Sequence, residues 1–308
     1  MAFVTMQEIE RDDPGLFLML EDLELVAHGV VEGALLGLHR SPYLGFSVEF
    51  EAHREYQRGD DLRHVNWNLW ARHDRLFVKQ YKANTNLDLH LMLDSTGSMR
   101  TEHGPTAKWR YAIRAAAAFA LLAKRTHDAV GVSLIGDRIE RHLPPRTSAG
   151  QFQDILGMLE RAEPGGRASI GHAFEEMLSL CRRRGIVVLI SDLFDNEEEI
   201  SVGLKSLQQM GHDVIVVQVL DPWEVALPKG GTYEFHDLES GQRLRVVTDT
   251  VADSYAAKVR AWRERLRDRY FAAGIDWLSV RTDQRLSELL TRYIWRRAER
   301  RKGAGQHR

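Results

Sequence analysis

From residue 87 onward the chain alternates between short, mostly apolar runs and longer stretches in which apolar residues recur every three or four positions. The short runs predict strands at 87–93, 129–135, 186–191, 213–220 and 275–280, and the longer ones predict helices at 106–125, 148–161, 170–183, 197–209, 251–272 and 285–300. Strand and helix in alternation imply an α/β fold, with a mostly parallel sheet covered by helices on both faces. Residues 138–143 form a further short strand, antiparallel to the one before it, because the Gly136–Asp137 pair suits a two-residue hairpin turn. The connection at 222–249 is long for such a fold, and its Glu239, Ser240, Gly241 and Gln242 turn predicts an inserted hairpin.

The pattern before residue 87 is different. Pro14 suits a first helical turn, and Leu16, Leu20, Leu23 and Ala27 come after it at helical spacing, which predicts a helix to about Gly29. Short extended pieces at 46–50, 65–70 and 76–82 come next, separated by turns at 59–61 and 72–74. The chain thus divides into residues 1–84, a helix with a small β-containing subdomain; residues 85–300, the α/β domain with its insertion at 222–249; and a basic tail at 301–308.

Composition narrows the function classes. The 308 residues carry 42 Lys plus Arg against 44 Asp plus Glu, a net charge of −2, which argues against a nucleic-acid binder. A single cysteine, Cys181, excludes a disulfide framework and any multi-cysteine metal centre, and reads as an inert buried thiol. No apolar run approaches the roughly 18 residues of a membrane span, and the acidic start, with Glu8, Glu10, Arg11, Asp12 and Asp13, is not the pattern of a signal peptide. These features predict a cytoplasmic protein without a membrane span.

The chemistry concentrates where two predicted strands end. The run LHLML leads into Asp94, Ser95, Thr96, Gly97 and Ser98, and the run IVVLI leads into Ser191 and Asp192. In an open parallel sheet, ligands bind beyond the carboxyl ends of the strands. Carboxylates and hydroxyls gathered there form an all-oxygen donor set, suited to Mg2+ or Mn2+ and unsuited to zinc. The residues alone leave open that Asp94 and Asp192 merely cap the next helix or loop.

The segment Asp94 to Ser98 resembles the D-x-S-x-S motif of the von Willebrand factor A fold, whose metal-ion-dependent adhesion site also uses a later strand-end Asp, matched by Asp192. A longer stretch resembles a narrower group: Arg54, Glu55, Tyr56, Gln57, Arg58, Gly59, Asp60, Asp61, Leu62 and Arg63, then Asn66, Trp67, Ala71, Arg72, Val78 and Lys79. That group is the bacterial von Willebrand A-like family catalogued as domain of unknown function 58, which often accompanies MoxR-type AAA ATPases. The resemblance runs from about Leu44 to at least Leu220, with Asp221, Pro222 and Asp237 to Gly241 beyond it. It implies that Thr96 and Ser98 bind the metal directly and that Asp94 and Asp192 hold it directly or through water. A loop threonine adds a ligand in relatives. Here that position is Ala168 in the run Gly166, Arg167, Ala168, Ser169, Ile170, so Ser169 is the replacement hydroxyl. The implied function is a non-enzymatic adaptor that recognises a MoxR-type ATPase or its client through a shared Mg2+ or Mn2+ ion.

A metal-dependent hydrolase or phosphotransfer enzyme is the rival class, and a metal-free scaffold is the third. Phosphotransferases built on a strand-end D-x-D use the second Asp as general acid, and Thr96 stands there instead. No phosphate-binding G-x-x-x-x-G-K-[ST] loop occurs, and no histidine pair has H-x-x-x-H spacing. The Arg58, Gly59, Asp60 tripeptide reads as a charged turn. The Arg54 to Arg63 cluster reads as a brace or binding surface, Trp67 and Trp70 as core, and the charged run from Lys258 to Arg269 as a solvated helix face.

Overall fold

The computed structural model describes residues 23–39, 52–55, 77–80, 87–103, 106–166, 170–236 and 242–304. Two compact units emerge: residues 38–86, and a larger unit formed by residues 1–37 with 87–308. In the smaller unit, β1 (Ala52–Glu55) pairs antiparallel with β2 (Phe77–Gln80). The pieces read at 46–50 and 65–70, the turns between them, and most of the Arg54 to Arg63 cluster lie outside the described residues.

The larger unit begins with α1 (Leu23–His39). This helix runs ten residues past the Gly29 end read from the sequence, through Gly29, Gly33 and Gly37. Each glycine costs a helix about 1 kcal/mol. Burial offsets that cost, since Leu23, Val26, Ala27, Val30, Val31 and Ala34 are all core residues of the large unit. The start read at Pro14 lies outside the described residues.

After α1 the order is β3 (Asp88–Asp94), a 3-10 turn (Gly97–Arg100), α2 (Lys108–Arg125), β4 (Ala129–Ile135) and β5 (Ile139–Arg146). Then come α3 (Gln151–Glu160), α4 (Ile170–Leu180), β6 (Gly185–Ser191), α5 (Glu197–Gln209) and β7 (Asp213–Leu220). The chain finishes with the short α6 (Pro222–Val225), β8 (Thr232–His236), β9 (Arg243–Val247), α7 (Thr248–Ala272), β10 (Asp276–Arg281) and α8 (Leu286–Ala304). Six strands form one sheet in the order β10-β7-β6-β3-β4-β5, parallel throughout except for the antiparallel edge strand β5. The expected insertion is present as the separate antiparallel pair β8 and β9.

Side chains alternate along each strand and divide the core in two. Leu89, Leu91 and Leu93 of β3 join Val130, Val132, Ile186, Val188, Val217 and Leu278 on the face covered by α1, α2, α3 and α8. Met92, Val187, Leu189, Val214 and Val216 point the other way, toward α4, α5 and α7. On that second face, Gly203 of α5 is required by close approach. A β-carbon there would come within 2.3 Å of the Phe174 ring of α4.

This strand order fixes where a ligand can sit. The connection from β3 leads to β4 on one side, while that from β6 leads to β7 on the other. The carboxyl ends of the adjacent strands β3 and β6 therefore flank a crevice between diverging loops.

Candidate functional site

Asp94 ends β3, and Asp192 comes directly after the last residue of β6, so strand register alone brings the two acids to the crevice. Hydrogen bonds then fix their orientation. The Thr96 amide donates to Asp94 Oδ1 at 2.9 Å, and the Ser191 hydroxyl donates to Asp94 Oδ2 at 2.5 Å. The Phe194 amide donates to Asp192 Oδ1 at 3.0 Å. Between the acids and Phe194, Leu193 is held at a φ of 65°, an uncommon backbone state for a buried branched residue. That turn lets its amide donate to Ser191 Oγ at 2.9 Å.

The loop after Asp94 folds tightly enough that Thr96 Oγ1 and Ser98 Oγ lie 3.1 Å apart. It is pinned to the approach to α4: Gly165 donates to the Ser95 carbonyl at 2.7 Å, and Gly97 donates to the Gly166 carbonyl at 3.2 Å. Gly166 has a φ of +76°, where only glycine is unstrained. On the far side of the gap, the Ile170 amide donates to Asp195 Oδ2 at 2.8 Å. Ala168 and Ser169 lie between these anchors, outside the described residues.

Three further groups complete the site, and the sequence pattern does not assign them to it. Lys108, the first residue of α2, is fully buried, and its Nζ stands 2.6 Å from Asp192 Oδ2 and 2.5 Å from Glu224 Oε1. Glu224 belongs to α6, whose start is a capping box. The Trp223 amide donates to Asp221 Oδ1, and the Asp221 amide donates to Glu224 Oε2 at 2.8 Å. Asp221, also fully buried, takes the His103 amide at 2.8 Å, with the His103 ring 3.5 Å away. A signal for Lys108 existed: it precedes Ala112, Ala115 and Phe119 on one helical stripe, all buried.

The electrostatics are unbalanced. Lys108 pairs with Asp192 and Glu224, while Asp94, whose carboxyl is repelled by Asp192, has no cation among its hydrogen-bond partners. Burial, with the Asp192 charge second, pushes the Asp94 carboxyl up to about 7. Burial, tempered by Lys108, pushes Glu224 up to about 7 as well. Burial alone would pull the Lys108 ammonium down, but Asp192 and Glu224 outweigh it and hold the ammonium above its ordinary value.

These residues fit a hard divalent ion. The donors are oxygens only, the two hydroxyls are spaced as neighbouring ligands of a small cation, and the carboxylates carry excess negative charge. Among the described residues, no three His, Cys, Asp or Glu side chains could hold a metal ion by themselves, so hydroxyl oxygens are indispensable to such a site. Aromatic pairs lie on the neighbouring segments. His103 stacks on Trp223 with centroids 4.5 Å apart, Trp223 meets Tyr233 edge-on, and the exposed Phe194 stacks on Trp262.

The sheet order and the hydroxyl-bearing loop at its switch point define an α/β domain built on a mostly parallel six-stranded sheet. The sequence pattern described as "Protein of unknown function DUF58" matches residues 52–265, and the chain belongs to that family. It is 29% identical over 299 residues to the uncharacterized protein Rv1480 of Mycobacterium tuberculosis, covering 95% of this chain and 92% of the relative. A 167-residue match at 28% identity, to the uncharacterized protein MAV169 of Mycobacterium avium, covers 53% of this chain and 95% of that one. Among solved structures, BatB of Bacteroides thetaiotaomicron is similar at 17% identity and a TM-score of 0.47, covering 69% of this chain and 99% of that one. The SpRpn10 VWA domain is similar at 12% identity and a TM-score of 0.40, covering 67% and 94%. No helix among the described residues is long and apolar enough to cross a membrane.

Proposed function

We infer that the chain is a non-enzymatic, cytoplasmic protein-interaction module whose carboxyl-edge site holds Mg2+ or Mn2+. Thr96 and Ser98 supply hydroxyl ligands, Asp94 and Asp192 supply carboxylates, and Ser169 supplies the hydroxyl that stands in for the family's threonine. The observation that carries this reading is the excess of buried carboxylate over ammonium beside two converging hydroxyls. A divalent ion relieves the repulsion between Asp94 and Asp192, and its open coordination position accepts a carboxylate of a partner. The family resemblance suggests that the partner is a MoxR-type AAA ATPase or that ATPase's client.

Catalysis is the weaker reading because neither hydroxyl has, among the described residues, the histidine that activates a serine nucleophile. The Ser191 hydroxyl donates to the buried Asp94, Ser98 bonds Thr96, and His103 is engaged with Asp221 and Trp223. Neither serine is hydrogen-bonded to a histidine among the described residues.

Calorimetric titration of the wild type, Asp94→Ala and Ala168→Thr with MgCl2 and MnCl2 is the test. It is paired with capture of a purified MoxR-type ATPase with and without chelator. The expected result is binding that Asp94→Ala abolishes and Ala168→Thr tightens, with capture that tracks the metal. A wild type that binds neither ion at millimolar concentration and captures the ATPase equally well in chelator overturns the metal-bridged mechanism.

A further inference from the structure

Lys108 stands where local rules disfavour it. It opens a helix, where the dipole repels a cation, and it is completely removed from water. Its place is set by its partners. One N–H faces Asp192, another faces Glu224, and the ammonium lies 5.2 Å from the Phe194 ring centre. Glu224 is held in turn by the Asp221 amide, and its own carbonyl accepts from the Tyr255 hydroxyl of α7 at 3.0 Å. The ammonium therefore occupies one oxygen of an acid in the crevice and is bonded at the same time to a second, firmly anchored acid outside it.

We propose that Lys108 is the site's resident cation: a divalent ion gains Asp192 only by displacing the lysine, and Glu224 is the acceptor that keeps the displaced ammonium neutralised. This rests on the metal-binding reading above for its ligand set. It assigns opposite effects to two residues that do not themselves bind the ion. Removing the lysine frees Asp192 and tightens metal binding. Removing the charge of Glu224 would leave a displaced lysine buried and unpaired, so the lysine stays on Asp192 and metal binding weakens. A purely structural role would move both variants in the same direction.

The experiment is Mn2+ binding, monitored by the paramagnetic signal of the free ion, to the full chain as wild type, Lys108→Met, Glu224→Gln and the double variant. The double variant has one fewer unpaired buried charge than Lys108→Met and serves if the latter does not fold. The expected result is binding about tenfold tighter in the lysine variants and severalfold weaker in Glu224→Gln. Equal affinity in the wild type and the lysine variants overturns the proposal and leaves the metal site standing. Glu224→Gln binding more tightly than the wild type also overturns it. Binding by the lysine variants with a silent wild type supports the proposal and removes the metal from the native function. Silence in every protein overturns both.

Discussion

The two edges of the central sheet bury polar groups in opposite ways. At the amino edge the solution is neutral. The Gly185 amide donates to His212 Nδ1 at 3.3 Å, His212 Nε2 lies 3.2 Å from the Cys181 carbonyl, and the edge of one imidazole faces the other where His90 meets His212. Burial, reinforced by His212 and His142, pulls His90 down to about 4, and burial pushes the Cys181 thiol up to about 12, so both stay uncharged at neutral pH. At the carboxyl edge the groups are carboxylates and an ammonium. The same strands pass through both regions, so the difference comes from the connections at each end. The buried groups described at the amino edge are neutral, whereas the carboxyl edge carries carboxylates that Lys108 balances in part.

The sharpest way to break this comparison is to remove the internal cation. Lys108→Met leaves Asp192 and Glu224 facing each other without compensation. In the absence of divalent ions it should cost about 3–5 kcal/mol in urea denaturation near pH 8. Because Asp94 and Glu224 take up protons near 7, the loss should shrink toward pH 6. A cost independent of pH would mean that packing, and not charge, accounts for it.

The next effect belongs to the amino edge and has the opposite pH sense. His90 has an ordinary value of 6.5 and a folded value of about 4, so between these limits the unfolded chain binds a proton that the folded chain refuses. Stability should therefore fall as pH drops from about 6.5 to 4, by on the order of 3 kcal/mol from this group. His90→Leu should remove that contribution, and an unchanged acid slope would exclude His90 as its source. Asp94 and Glu224 work against it: with folded values raised to about 7, their contribution is present at low pH and is lost as pH rises toward 7. His212→Ala is the smaller lesion at the same edge, about 2 kcal/mol, because it strands the buried Gly185 amide. Slowed amide exchange at Gly185 in this variant would contradict the assignment.

The sheet is legible in the sequence because its strands are apolar runs bounded by polar turns. The bounds expected for β4, β7 and α5 coincide with those observed, and the start of α5 is fixed by Asn196, which caps it and accepts from the Glu198 and Glu199 amides. The pattern ends β5 at residue 143, whereas the strand continues through Pro144 and Pro145 to Arg146. Prolines are tolerated there because it is an edge strand. In the site, Asp94 and Asp192 are visible as acids at the ends of apolar runs. Glu224 is not, since a glutamate in a loop is ordinarily solvated, and Lys108 shows only as the first member of a buried helical stripe, which does not connect it to the acids. Only the return of the chain from β7 through α6 gives them a shared buried position.

The smallest predicted effect is the one that most directly separates the edges. Asp94→Asn keeps the shape of a buried side chain whose two oxygens accept from the Thr96 amide and the Ser191 hydroxyl, and it removes the charge that repels Asp192. Part of the gain is offset, because the amide replaces a short charge-assisted bond to Ser191 with a weaker neutral one. Near pH 8 without divalent ions, the variant should therefore be more stable than the wild type by about 1 kcal/mol, and the gain should vanish near pH 4, where the wild-type acid is already protonated. Adding MgCl2 should reverse the ranking, since the ion stabilises only the protein that retains the carboxylate. A variant less stable than the wild type at every pH would show that Asp94 is a cap on its loop and that its charge is not held for a ligand.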